Sequence, residues 1–186
     1  MELASCSFGQ SSKVSYLQML TAVCAVVNGG RLMQPYLVQR ITAPDGTVVK
    51  ETEPTVKRQV ISEETSATMC KLMEGVVTSG TGTRAAVPGY RVGGKSGTSQ
   101  KLDSVDDKAR IASFVAVAPM EDPRFLCLVC LDEPHSWTTA GGSLSAPVCA
   151  EVLRQTLLYK GIPAALPEEE AQQTLALPDG DSPDGT

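Results

Sequence analysis

Histidine occurs once in this chain of 186 residues, at His135, and the only closely spaced cysteines are Cys127 and Cys130. That inventory is too small for a self-contained metal site, which gathers several nitrogen or sulfur ligands in one place. Cys127-x-x-Cys130 has zinc-like spacing, but residues i and i+3 of an extended strand face opposite sides and cannot share an ion. A buried structural pair is the simpler reading. No apolar run approaches the roughly 18 residues of a membrane span, and Met1-Glu2-Leu3 begins no signal peptide. Bases are missing from residues 168–186, where six acids stand among Pro and Gly. The remaining 15 acids face all 16 bases, so residues 1–167 carry +1 and the formal charge of −5 belongs to the tail. No basic stripe crosses the near-neutral body, which argues against nucleic acid as a partner.

What is present suits a globular domain: 42% apolar residues, 20% charged, and a chain long enough to bury roughly 70% of its extended surface without a staple. Residues 13–27 read as a helix with an apolar face wider than one stripe, hence mostly buried, and Asn28-Gly29-Gly30 stops it. Two short β-prone runs, 36–41 and 47–49, flank the turn signal Ala43-Pro44-Asp45-Gly46 and predict a surface hairpin. A second helix starts at Ser62, with Glu63 and Glu64 in its first turn; Ala67, Met69, Cys70, Leu72, Met73 and Val76 form its core face. Gly80 and Gly82 end it, as a helix-terminating loop rather than a dinucleotide site.

Three β-prone runs follow, at 90–100, 111–119 and 125–132, with Met120-Glu121-Asp122-Pro123-Arg124 suited to a hairpin between the last two. The third, apolar on both faces, reads as the central strand of a sheet covered on both sides. A helix over 145–159, with Pro147 near its start, closes the order. The fold class is α+β, with helices covering three antiparallel strands. Three strands leave unpaired edges beside an apolar centre, so further strands should complete the sheet.

Gly89-Tyr90-Arg91-Val92-Gly93-Gly94-Lys95-Ser96 matches the phosphate-cradling pattern G-x-x-x-x-G-K-[ST]. A P-loop needs a buried strand before its first glycine and a helix after Lys-Ser. Here Arg84-Ala85-Ala86-Val87-Pro88 precedes, and Gly97-Thr98-Ser99-Gln100 is a poor first helical turn. Lone His135, after Asp132-Glu133-Pro134, is read as structural despite the value of histidine near neutral pH. Trp137 beside it suits a loop packed near a cleft rim.

Placed on a strand, Lys95-Ser96-Gly97-Thr98 resembles the third motif of the penicillin-recognising serine enzymes. The order around it is similar to class B penicillin-binding proteins over residues 4 to 161. Ser7-Phe8-Gly9-Gln10 and Tyr16-Leu17-Gln18 come first, then Val60-Ile61-Ser62-Glu63-Glu64-Thr65, Glu74-Gly75-Val76-Val77-Thr78 before Gly80-Thr81-Gly82, Pro88-Gly89-Tyr90, Gly93 through Gln100, and Ser113-Phe114-Val115. The resemblance implies that residues 1–161 are the carboxy-terminal part of a transpeptidase domain and that 162–186 form an acidic, disordered tail. It implies Lys95 and Thr98 as catalytic residues and Ser96, Gly97, Thr98 and Gln100 as substrate-binding ones, with no cofactor and no metal. Gly97 would let a substrate backbone approach. Ser96 and Thr98 would hydrogen-bond a terminal carboxylate in the field of Lys95. The backbone N–H of Thr98 would form half of an oxyanion hole.

The sequence departs from that family in two motifs. None of the eight lysines has Ser three residues before it, and Asn28, the only Asn, has Val26 two before it, so neither S-x-x-K nor S-x-N is present. Both lie upstream of the matched segment in the family, with the first strands of the sheet. The implied function is cross-linking of peptidoglycan stem peptides ending in D-Ala-D-Ala through an acyl-enzyme that β-lactams mimic. This chain supplies the Lys-Ser-Gly-Thr strand but not the nucleophile, and is inactive alone. The implied location is the extracytoplasmic face of a bacterial membrane, and uncovered sheet edges imply self-association. The alternatives are a non-catalytic binding or scaffold fragment, and the P-loop nucleotide binder at residues 89–96. Six cysteines without an evident framework stand in tension with an oxidising location.

Overall fold

The computed structural model describes residues 13–101, 104–106 and 108–165, which fall into two compact units, one of residues 13–70 and the other from Lys71 onward. Of the predicted tail, only residues 162–165 lie among those described.

The first unit opens with helix α1, Tyr16–Val27. Its start is a reciprocal cap: Ser15 Oγ accepts the Gln18 N–H at 3.2 Å, and the Ser15 N–H donates to Gln18 Oε1 at 2.8 Å. Its end follows from Asn28-Gly29-Gly30, both glycines having φ +85°. A side chain at Gly30 would collide with the Ile61 carbonyl, so that turn requires glycine. Strands β1 (Arg31–Met33), β2 (Arg40–Thr42), β3 (Val48–Glu51) and β4 (Val56–Gln59) follow. β2 and β3 form the expected antiparallel hairpin, whose turn is held by the Thr47 N–H donating to Asp45 Oδ1 at 2.9 Å. The β1–β4 antiparallel pair has no counterpart in the sequence reading.

Helix α2, Glu63–Thr78, begins in this unit. Its inward positions are Ser66, Met73 and Val77, with Cys70 half-buried, whereas Ala67 and Leu72 face solvent, contrary to expectation. The cause is polar. The Ser66 hydroxyl donates to the Val26 carbonyl at 2.6 Å and accepts the Gly29 N–H at 3.0 Å, so it fastens the α1 terminus and sets the helix rotation. The expectation that α1 is mostly buried fails too. Only Ala25 and Val27 are buried, while Tyr16 and Leu17 are 62% and 57% exposed, because among the described residues nothing covers the first turns.

The second unit is built on strands β5 (Gly93–Gln100), β6 (Arg110–Ala118) and β7 (Phe125–Asp132), antiparallel in the order β5-β6-β7. The central strand is therefore β6 and not the third run. β6 is buried on both faces over Phe114–Ala118, whereas β7 is half-buried along most of its length and pairs with β6 alone among the described residues. Both runs are apolar on both faces, so only pairing distinguishes them.

A short helix α3, Gly141–Leu144, leads into α4, Ala146–Tyr159. Ala146, Cys149, Leu153 and Leu157 of α4 are buried with Phe114, Ala116 and Ala118 of β6 in one core, against which Phe125, Cys127 and Val129 of β7 pack. The small residues on β6 let the helix come close: buried Ser145 donates to the Ala112 carbonyl at 3.0 Å, and the Cys149 thiol donates to the Phe114 carbonyl at 3.4 Å. Beyond α4, the Ala165 N–H donates to the Gly89 carbonyl at 2.9 Å, and Tyr90 Oη to the Ile162 carbonyl at 2.8 Å.

Candidate active-site strand

The residues singled out by sequence lie on β5, the strand that pairs on one side only among the described residues. Its first two residues are glycine for steric reasons. A Cβ at Gly94 would stand 2.5 Å from the Phe114 ring and 2.7 Å from the Val115 carbonyl, and one at Gly93 would stand 2.6 Å from Met120 Sδ. From Lys95 onward the strand emerges, with Lys95, Thr98 and Gln100 exposed and Ser96, Gly97 and Ser99 half-buried.

Beyond Lys95, each of the central positions is fixed by a partner distant in sequence. The Lys95 ammonium donates to the Ser96 carbonyl at 2.7 Å. Ser96 Oγ and Thr81 Oγ1 share a hydrogen bond of 3.1 Å. The Ser113 hydroxyl donates to the Gly97 carbonyl at 3.2 Å, and a Cβ at Gly97 would lie 2.6 Å from that hydroxyl oxygen. The Gly141 N–H donates to Thr98 Oγ1 at 3.3 Å. Gly141 can approach this closely only without a side chain, since a Cβ there would run into the Ser113 and Gly97 carbonyls. Sequence reasoning places Thr81 only within the Gly80-Thr81-Gly82 match and does not pick out Gly141; neither carries a local pattern that points to β5.

The strand's far end is tied electrostatically. The Lys101 ammonium reaches Glu133 Oε1 at 2.8 Å and Asp132 Oδ2 at 3.0 Å, and these carboxylates raise its pKa above the ordinary lysine value. On the approach to β5, Glu74 grips the Arg91 guanidinium through two bonds of 2.6 and 2.7 Å and raises its pKa.

The other candidates resolve simply. Residues 93–100 stay extended, so Lys95-Ser96 opens no helix and the P-loop reading lacks its geometry. His135 is exposed, and Trp137 is 78% exposed rather than packed, since the loop before α3 covers it with nothing among the described residues. Among those residues no cluster of three or more His, Cys, Asp or Glu could hold a metal.

Residues 1–154 match the model of the penicillin binding protein transpeptidase domain, and the chain belongs to that family, in its class B branch. It is 40% identical over 165 residues to Stage V sporulation protein D of Bacillus subtilis, covering 87% of this chain and 26% of that protein. It is 34% identical over 168 residues to penicillin-binding protein PbpB of Mycolicibacterium smegmatis, covering 83% of this chain and 26% of the relative. The fold matches the TP domain of Burkholderia pseudomallei penicillin-binding protein 3 with a TM-score of 0.72 at 36% identity, over 89% of this chain and 48% of that one. The chain thus spans about a quarter of the length of these curated relatives and about half of the solved domain. Its mixed helices and antiparallel sheet are part of the penicillin-binding transpeptidase fold.

Proposed function

We propose that this chain is the substrate-strand portion of a peptidoglycan D,D-transpeptidase that acts outside the cytoplasmic membrane, with residues 162–186 as an acidic appendage. The reading rests on β5, where Ser96 and Thr98 are each fixed by a bond from outside the strand and Gly97 makes room for the Ser113 hydroxyl. A stem peptide ending in D-Ala-D-Ala would lie as an added strand along the edge of β5 that faces no other strand among the described residues. Hydroxyls at alternate positions of one face, near the ammonium of Lys95, suit a terminal carboxylate. A serine supplied from outside this chain would attack the D-Ala carbonyl and release the terminal D-Ala. An amine of a second stem peptide would then take the acyl group, and a β-lactam would enter the same path. The Thr98 N–H would hold the tetrahedral oxyanion, a donor of a kind that lowers the barrier by about 3 kcal/mol. Gln100 would extend the peptide-binding edge.

Incubation of this chain with a fluorescent penicillin should leave its intact mass unchanged; a stoichiometric covalent adduct would show that it carries a nucleophile of its own. Joined to an upstream transpeptidase segment carrying Ser-x-x-Lys, the chain should form a one-to-one adduct. Thr98→Val in that joined protein should slow acylation about tenfold to a hundredfold, the effect of losing a hydrogen bond to a charged group. An unchanged acylation rate would remove the Thr98 hydroxyl, though not its backbone N–H, from the site.

A further inference from the structure

The described cysteines are all free thiols, and two of them meet in the core. Cys149, fully buried on α4, donates to the Cys127 carbonyl at 3.8 Å as well as to Phe114. Cys127 lies opposite Ala116 in the β6–β7 register, and Ala116 belongs to the core cluster that also holds Cys149. The Cys127 side chain therefore stands on the sheet face that α4 covers. Cys130, three residues along the same strand, is paired with Ser113 and takes the opposite face. The two thiols are themselves hydrogen-bond neighbours, and the residues around them at the helix–sheet contact, Ala112, Ala116, Ala118 and Ala146, are small and buried.

We propose that Cys127 and Cys149 are a cystine-forming pair, the site at which this domain is cross-linked when it meets a disulfide oxidant. The two thiols are unequal, and the inequality sets the order of attack. Cys149, as hydrogen-bond donor, holds the Cys127 thiol below its ordinary pKa, while the same contact and burial hold Cys149 far above it. Cys127 is also the more accessible, being half-buried where Cys149 is enclosed. With oxidised glutathione, the Cys127 thiolate attacks one glutathione sulfur, the S–S bond breaks, and one glutathione leaves and takes up a proton. The Cys149 thiol then attacks the Cys127 sulfur and expels the second glutathione, whose sulfur takes up the Cys149 proton. Two protein thiols become one disulfide, and one glutathione disulfide becomes two thiols. The inference does not depend on transpeptidase chemistry.

The test uses the whole chain, folded, first fully reduced and then held with oxidised glutathione before remaining thiols are alkylated. Trypsin with chymotrypsin, cutting after Arg124, Trp137 and Arg154, separates the two partners. The expected product is a disulfide joining the Cys127 and Cys149 peptides, with the other four cysteines, Cys6, Cys24, Cys70 and Cys130, alkylated. Its melting temperature should rise by about 10 °C, as for a bridge closing a loop of this length. Cys149→Ser should leave glutathione attached to Cys127 instead. Recovery of Cys127 and Cys149 as alkylated thiols, or a bridge from Cys127 to Cys130, overturns the proposal, and both are read on the unsubstituted chain whether or not the variant folds.

Discussion

β5 and β7 flank the same strand, yet their sequences have almost nothing in common. β7 reads Phe-Leu-Cys-Leu-Val-Cys-Leu-Asp and is half-buried along most of its length; β5 reads Gly-Gly-Lys-Ser-Gly-Thr-Ser-Gln and passes from full burial to exposure within three residues. Both rest on β6, which supplies apolar cover to each. A strand whose neighbour carries the core is released from carrying it. β7 uses its side chains for packing, and β5 can hold hydroxyls, a lysine and glycines in a strand because Phe114 fills the space that Gly82 and Gly94 vacate. The polar strand thus leans on the apolar strand at its side, β6, and within β5 the positions closed to larger residues are Gly93, Gly94 and Gly97.

Three substitutions would break or sharpen this contrast. Gly94→Val should be the most damaging, costing about 3 kcal/mol in urea unfolding, because its Cβ would meet the Phe114 ring and a Val115 carbonyl that cannot rotate away. Near-native stability would mean that β5 is not wedged against Phe114. Val129→Ala on β7 should cost about 1–2 kcal/mol by the same measurement, since Val129 packs on the core while staying half-buried. A loss above that of the Gly94 variant would reverse the ranking of the two strands. Ser96→Ala should lower stability by less than about 1 kcal/mol, its partner Thr81 being exposed and able to bond water instead. A large drop in melting temperature there would make Ser96 structural and weaken its assignment to substrate.

Much of this was legible from residues close in sequence. The Ala43-Pro44-Asp45-Gly46 turn, the Asn28-Gly29-Gly30 stop and the extended run through Lys95-Ser96-Gly97-Thr98 depend on local dihedrals and local hydrogen bonds, which sequence neighbours determine. The rest was hidden because its causes lie far along the chain. Ser66 reads as an unremarkable polar residue until it meets Val26 and Gly29, 40 and 37 residues away. Gly141 reaches Thr98 from 43 residues away, and Thr81 reaches Ser96 from 15. Cys127-x-x-Cys130 draws the eye in sequence, yet the partner of Cys127 is Cys149.

By itself the sequence determined the three long helices, the β2–β3 hairpin and the three extended runs of the main sheet, which family the ordered motifs resemble, and that no S-x-x-K stands anywhere in the chain. Tertiary structure alone decided which apolar strand is central, which helix positions face inward and which distant groups hold the hydroxyls of β5. The division has a physical cause: helix and turn signals act over a few residues, whereas burial and hydrogen-bond partners exist only once remote segments share a surface.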